Sequence, residues 1–308
     1  MNRKFLDIQG AEDGPLIIIV AAIHGNEIAG IHALEKLNQL FENSGPAFSK
    51  ISIKKGRIVG IIGNLKAAID NVRFLDIDLN RIWYQDIIEG IEQKKKISSE
   101  YAEAFEMLQV LMEIQKEHSY SQKFLLDLHT TSADGFFAIC TESQESEHIA
   151  LHLHAPVVRG LMKDVQGSLI QYFDQKPGKE RFVSLAFEAG QHYDPKATDR
   201  MFGVILHLLE YLEMIGHPVS ASDYYSWLED ESSVFPREVE IIYSYKINED
   251  ENWQMLPGFK NFMAVKKNQP LAFNQFGEIA APFDGLLLMP RYQPLGNDGF
   301  FIVKTIVN

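Results

Sequence analysis

The chain has only one cysteine in 308 residues, Cys140, so no disulfide can close within it and its core must hold the fold. A lone thiol favours a reducing compartment, and a cytoplasmic location is expected. Cys140 ends the apolar run FFAIC and reads as a packing residue. Positive charge is also scarce: 29 Lys and Arg stand against 42 Asp and Glu, a formal net charge of −13. A field of that sign repels phosphate backbones and anionic lipids, so neither nucleic acid nor a membrane is expected as a partner. A small anionic substrate is still allowed, because a local arginine cluster can oppose the global field. The longest apolar run, residues 16–23, is far short of the roughly 20 residues a membrane helix needs. The opening MNRKFLDIQGAEDGP has no apolar h-region, so no secretory signal is expected. Internal repeats and low-complexity tracts are missing. Asp76 and Asp78 are not followed by the glycine and distal glutamate of an EF-hand loop.

What the chain does contain is a 46% hydrophobic composition, enough for one large domain or a domain plus a smaller one. The run LIIIVAAI (16–23) is β-branched and lacks polar alternation, the pattern of a strand buried on both faces. It stops at His24-Gly25-Asn26-Glu27, where Gly25 would let the backbone turn sharply. Ile28, Ile31, Leu34, Leu37 and Phe41 then recur at helical spacing until Gly45-Pro46, and RIVGII (57–62) reads as the next strand. Strand, helix, strand in that order suggests a βαβ unit and a parallel sheet. A helix is expected over residues 98–118, and strands over 124–128, 136–140 and 182–187. Residues 147–162 look partly helical up to Pro156, and residues 198–215 form a helix ended by Gly216-His217-Pro218. EQKKK (92–96) reads as a solvated loop or helix end. From about residue 235 short strand candidates are divided by turn residues. The expected organisation is a main domain over 1–234 and a small β-rich domain over 235–308.

Three apolar strands each end in a chemically able group. The first delivers His24 and Glu27, the second His129, the third Glu188. In a parallel sheet these ends share one edge, where open α/β sheets bind their ligands. Two histidines and a carboxylate are good ligands for Zn²⁺, with a fourth position left for water, which is the arrangement of a catalytic site. Glu188 is the candidate to take a proton from that water and pass it to a leaving amine. A second cluster, HIALHLH, holds His148, His152 and His154, but no carboxylate in a catalytic context accompanies it, and it reads as helix surface. Asp127 alternates with His129 on one strand face and either assists its geometry or satisfies nearby backbone donors.

Together, HGNE (24–27), Asn64…Arg73…DLNR (78–81), DLHTTS (127–132) and FEAG (187–190) resemble the aspartoacylase and succinylglutamate desuccinylase family, which is related to the zinc carboxypeptidases. The likeness covers most of residues 16–210 in order and spacing. It implies an α/β fold of zinc-carboxypeptidase type: a mixed, mainly parallel sheet flanked by helices, with the small C-terminal β part. It implies His24, Glu27 and His129 as zinc ligands and Glu188 as general acid/base. It further implies that Arg73 stabilises the oxyanion, that Asn80 and Arg81 hold the substrate carboxylate, that Asp78 orients a zinc histidine, and that Asn64 lies on the pocket wall. An arginine's planar fork suits a carboxylate. One position departs from the pattern. Aspartoacylase carries another arginine about ten residues before the catalytic glutamate; here that place falls near Gly178, with Lys179 and Arg181 the nearest cations, which leaves the acyl group open. The reading that follows is a zinc-dependent deacylase acting on an N-acyl amino acid or similar small carboxylated amide. Its rivals are a metallocarboxypeptidase and a non-catalytic metal- or ligand-binding protein on the same scaffold. A homo-oligomer is neither implied nor excluded.

Overall fold

The structure is a computed structural model that describes residues 2–42, 52–93, 99–117, 120, 122–216, 219–248 and 250–306, without the side chains of residues 92, 179 and 219–225. The helix breaks expected at Gly45-Pro46 and His217-Pro218, His118, and most of the EQKKK stretch lie outside the described residues. The N-terminal half runs β1 (Lys4–Gln9), β2 (Glu12–Ala21), α1 (Ala29–Glu42), β3 (Lys55–Ile62), α2 (Leu65–Asp70), a 3-10 turn (Leu79–Arg81), α3 (Gln85–Glu92), α4 (Ser99–Glu117) and β4 (Lys123–Thr131). There follow β5 (Phe137–Cys140), α5 (Gln144–Ala150), β6 (Val157–Arg159), α6 (Leu161–Asp164), α7 (Leu169–Asp174), β7 (Val183–Gln191), α8 (Ala197–Tyr211) and α9 (Val219–Ser232). The C-terminal part contributes β8 (Glu238–Lys246), β9 (Gln254–Met255), β10 (Ala264–Val265), β11 (Pro270–Asn274), β12 (Gly277–Ala280), β13 (Gly285–Leu288) and β14 (Asp298–Thr305).

Among the described residues, an 11-stranded sheet runs in the order β1-β3-β2-β4-β7-β5-β6-β8-β14-β13-β10. Strands β3, β2, β4 and β7 are mutually parallel, whereas β1 and β5 are antiparallel to their neighbours β3 and β7. The apolar run of β2 is buried on both faces, as its lack of alternation requires. Ile17, Ile19 and Ala21 pack in the cluster that includes residues of α1 and α8; Leu16, Ile18 and Val20 pack in the one that includes residues of α4. The chain leaves β2 for β3 on one side and returns to β4 on the other. The carboxyl ends of β2 and β4 therefore flank a switch point, the place where such sheets open a crevice.

One local expectation changes, and another holds for a different reason. The segment after α5 does not continue as helix. Ala155-Pro156 cannot extend it, and the β-branched pair Val157-Val158 instead joins β5 and β8 as strand β6. Gly25 does lie in a turn, as expected, but without a positive φ. A Cβ there would lie 2.1 Å from the Ala67 carbonyl carbon, so glycine is required by the close approach of α2. The left-handed residue at this strand end is Ala22, with φ 54°. At the C-terminal end, β8, β14, β13 and β10 extend the main sheet, while β12, β11 and β9 form a separate three-stranded sheet. A distinct core of Met255, Val265, Leu271, Leu287, Phe300 and Ile302 lies between them.

Candidate active site

The crevice at the carboxyl ends of β2, β4 and β7 gathers His24, Glu27, His129 and Glu188, all buried. His24 and Glu27 lie on the turn just beyond β2, closed by Glu27 N–H donating to the His24 carbonyl at 3.0 Å. His129 sits on β4 in register with Glu188 on β7, so parallel pairing alone brings the two side chains together. One ligand atom each from His24, Glu27 and His129 lies within 4.8 Å of the other two. Glu27 is the hub: Oε1 is 2.9 Å from His24 Nδ1, and Oε2 is 3.1 Å from His129 Nδ1 and accepts the Thr130 N–H at 2.9 Å.

The other ring nitrogens face carboxylates, and His24 Nε2 also meets Arg73 Nη2 at 2.9 Å. His24 Nε2 is 3.1 Å from Asp78 Oδ1, and His129 Nε2 is in ion-pair contact with Asp127 Oδ2 at 2.9 Å. Both rings thus turn Nδ1 inward and Nε2 toward an acid, which is how proteins orient and strengthen metal-binding imidazoles. Two imidazole nitrogens and a carboxylate oxygen, so anchored, fit a Zn²⁺-type ion. The charges agree. Burial opposes ionisation of Glu27, but the adjacent imidazoles of His24 and His129 outweigh it and hold the carboxyl well below its usual range. Burial likewise opposes the charged form of His129, but Asp127 and Glu27 push its titration well above the ordinary histidine value. Glu188 goes the other way: burial, reinforced by the Glu27 charge, lifts it to about 7 against the pull of His129, His24 and Arg73. Its Oε2 is buried without a hydrogen-bond partner.

Arg73 and Asp78 sit on the loop after α2. The Arg73 guanidinium reaches Glu27 Oε1 at 3.4 Å and Asp78 Oδ2 at 3.1 Å. That loop is fixed by a residue that pattern reading missed. Glu100, fully buried at the start of α4, accepts the N–H groups of Leu75, Asp76 and Ile77 at 2.7, 3.0 and 3.2 Å. The available signal was an acid on the apolar face of an amphipathic helix. Asn80 Nδ2 is 3.4 Å from His129 Nε2, and its Oδ1 accepts the Leu169 N–H at 2.8 Å. Arg81 donates to Asp298 Oδ2 at 3.0 Å. Asn64, expected on the pocket wall, does not line the cavity. It caps α2 through Ala67 N and donates to Glu100 at 3.1 Å, so its work is structural. Gly178 and Arg181 line a different cleft, where Arg181 is spent on Glu145 and Asp174; the Lys179 side chain lies outside the described residues.

The cavity over this group is small, about 100 Å³. Its far rim comes from the C-terminal part, which supplies Met289, Arg291, Gln293 and Asp298. His192 bridges the two halves, with Nδ1 2.8 Å from Thr130 Oγ1 and Nε2 3.2 Å from Gln293 Oε1. Pattern reading missed these rim residues because they sit between turn signals and carry no periodicity. The histidines of HIALHLH take no part: His148 and His152 are exposed at the end of α5, His154 faces Glu229 at 3.9 Å, and among the described residues they join no group of three metal-type ligands.

Comparison with known proteins agrees with this geometry. Residues 13–212 match the family described as succinylglutamate desuccinylase/aspartoacylase catalytic domain. The chain is 25% identical over 287 residues to a probable aspartoacylase of Prochlorococcus marinus (strain AS9601), covering 87% of this chain and 84% of that protein. Among solved structures, a Rhodobacter sphaeroides succinylglutamate desuccinylase/aspartoacylase superposes with a TM-score of 0.66 at 13% identity, covering 98% of this chain and 88% of that one. Murine aminoacylase 3 superposes with a TM-score of 0.63 at 15% identity, covering 96% and 97%. At such identities the superpositions establish the fold. The match over 13–212, which spans every strand end that builds the site, establishes the rest: the chain belongs to the succinylglutamate desuccinylase/aspartoacylase family.

Proposed function

We propose that this chain is a zinc-dependent amidohydrolase that releases an amine from an N-acyl amino acid or similar small carboxylated amide. The observation that carries the reading is Glu188: buried, in register beside His129, with one oxygen unpartnered, next to the anchored His24–Glu27–His129 set. His24, Glu27 and His129 would hold Zn²⁺, which supplies a water of lowered pKa and polarises a carbonyl. Glu188 accepts the proton that the attacking water gives up and returns it to the departing nitrogen. Arg73 donates hydrogen bonds to the oxygen on which negative charge develops, where preorganised donors act most strongly. Arg81, with Asn80 beside it, takes the substrate carboxylate, exchanging part of its contact with Asp298 for it. Asp78 and Asp127 keep the imidazoles in the ligand tautomer.

Residues 235–308 act as a distinct β-rich unit whose rim closes the cavity, a division supported by their own core. That rim favours a small amide over a peptide. The buried Cys140 thiol, pushed up to about 12 by burial, is inert packing and is compatible with a cytoplasmic protein. No helix among the described residues is long and apolar enough to cross a membrane. The test is the metal-loaded protein with N-acetyl amino acids, N-succinyl amino acids and C-terminal peptides, scored for amine release. Release from the acyl amino acids supports the reading. Release from peptides alone makes the chain a carboxypeptidase, and tight metal binding with no release makes it a binding protein.

A further inference from the structure

The cavity has two chemically different sides. One carries the ligand set and the arginines. The other is laid down by the segment Gly160-Leu161-Met162-Lys163-Asp164-Val165-Gln166-Gly167-Ser168-Leu169-Ile170, at and after α6. Of its members, Leu161, Met162, Val165 and Ile170 are buried and line the cavity, joined by Ile139 and Phe301; the polar member that also lines it, Ser168, directs its hydroxyl to Met162 Sδ and the Gln171 N–H. Its charged members point away: Lys163 and Asp164 are exposed. The segment is pinned to the substrate-binding turn. Leu169 N–H donates to Asn80 Oδ1 at 2.8 Å, and Trp83 N–H donates to the Gly167 carbonyl at 3.1 Å. Gly167, with φ 73°, is forced by proximity, since a Cβ would lie 2.7 Å from the Arg81 carbonyl oxygen. The apolar wall is therefore held in fixed relation to Asn80 and Arg81.

The arginines lining the cavity are Arg73, Arg81 and Arg291. Arg73 already faces Glu27 and Asp78, and Arg81 faces Asp298. Arg291 lies over the Trp253 ring, 5.0 Å from its centroid, and donates to the Gly296 carbonyl. Arg291 makes no ion pair among the described residues and its buried Nε has no hydrogen-bond partner, but none of these cations is on the 160–170 segment. A carboxylate placed against Leu161, Met162 and Val165 would be buried without a partner, which is costly.

We infer that the substrate carries one carboxylate and a short apolar group, the carboxylate at Arg81 and the apolar group against the Leu161–Met162–Val165–Ile170 wall. This rests on the amidohydrolase reading above and names its substrate class. A second acidic group, as in an N-acyl aspartate or an N-succinyl amine, is discriminated against. The shared chemistry admits two sources, an apolar amino-acid side chain or an apolar acyl chain.

The experiment measures kcat/KM of the metal-loaded, full-length protein on N-acetyl-L-leucine, N-acetylglycine, N-acetyl-L-aspartate, N-butyrylglycine and N-succinylglycine. The expected result is that N-acetyl-L-leucine or N-butyrylglycine exceeds its acidic counterpart by at least about tenfold, the scale on which an apolar pocket discriminates. Which of the two leads assigns the wall to the side-chain or the acyl side. Met162→Arg should shrink that ratio by improving the acidic substrate, whereas Met162→Leu should keep it. The wild-type series stands alone should Met162→Arg fail to fold. Preference for the aspartate or succinyl substrate overturns the inference while leaving the amidohydrolase reading intact; loss of that preference in Arg291→Ala would then make Arg291 the second anchor. No amine from any of the five overturns the amidohydrolase reading itself.

Discussion

Neighbouring histidine rings occur at three places among the described residues, and the pair His148–His152 contrasts with the pair His24–His129. The rings of His148 and His152 are 4.7 Å apart, closer than the 5.2 Å between those of His24 and His129. Proximity therefore does not decide. His148 and His152 are exposed, and His152 Nδ1 is spent on the His148 carbonyl at 2.7 Å. His24 and His129 are buried; each turns one nitrogen toward Glu27 and the other toward a carboxylate. The difference lies in position on the fold. One pair falls at a helix end facing water, where the rings meet Tyr211 and a backbone carbonyl. The other falls at strand ends, where low dielectric and acidic partners fix both orientation and charge.

The sharpest way to break this comparison is to exchange the pairs' fates by mutation. His24→Ala or His129→Ala should lose most bound zinc by metal analysis, while His148→Ala and His152→Ala should keep it. Zinc retained in the first pair and lost in the second would move the site to α5. Next in size, Glu188→Gln should keep fold and zinc but lower kcat about 10²–10⁴-fold, since an amide cannot accept the proton. More than about a tenth of the wild-type kcat would make Glu188 structural and turn attention to Asp78 and Asp127.

The two arginines should separate kinetically. Arg73→Ala should lower kcat about 10²–10³-fold as a lost oxyanion donor. Arg81→Ala should chiefly raise KM, and the rise should vanish with a carboxamide analogue of the substrate. Equal effects on acid and carboxamide would remove Arg81 from carboxylate binding. Smaller again, Asp127→Asn should weaken zinc affinity roughly 10–100-fold, the usual cost of losing an acid behind a histidine ligand. Competition with a chelator reads this directly, and an unchanged affinity would make Asp127 a bystander.

The smallest effect belongs far from the site, where charge pairing meets solvent. Asp7 receives two hydrogen bonds from Arg57, at 2.7 and 2.8 Å, and that pairing, against some burial, lowers its pKa below 3.8. A depressed carboxyl pKa adds stability above the unfolded value of 3.8 and loses it as pH falls through the folded value. Asp7→Asn should therefore cost under about 1 kcal/mol at pH 7, with the gap to wild type closing below pH 3.8 in denaturant titrations. A gap that stays constant in acid would mean the loss is packing, not charge.

Much of the candidate site was legible because burial leaves a plain mark on sequence. Residues 16–23 are wholly apolar, and 124–128 and 182–187 are apolar but for Asp127 and Ser184, so each reads as an inner strand with the polar residues that stop it at its end. His24, Glu27, His129 and Glu188 follow from that alone, and the spacing of Arg73, Asp78, Asn80 and Arg81 added the rest through the family likeness. Strand β6 was hidden because three residues between a proline and a short helix carry too little pattern. Asn64 looked like a pocket residue because its neighbours in the motif are; whether it faces the cavity or caps α2 depends on where α4 brings Glu100.

The sequence by itself determined which residues could do the chemistry, since residue type and buried-strand pattern are local properties. Only the tertiary structure decided what surrounds them. Arg291, Gln293 and Asp298 reach the cavity from more than a hundred residues beyond Glu188, along a sheet that continues through β6 and β8 into the C-terminal part. The apolar wall of Leu161, Met162 and Val165 faces the site because Asn80 and Trp83 hold its backbone there. Such placements depend on contacts between distant segments, and no single stretch of chain records them.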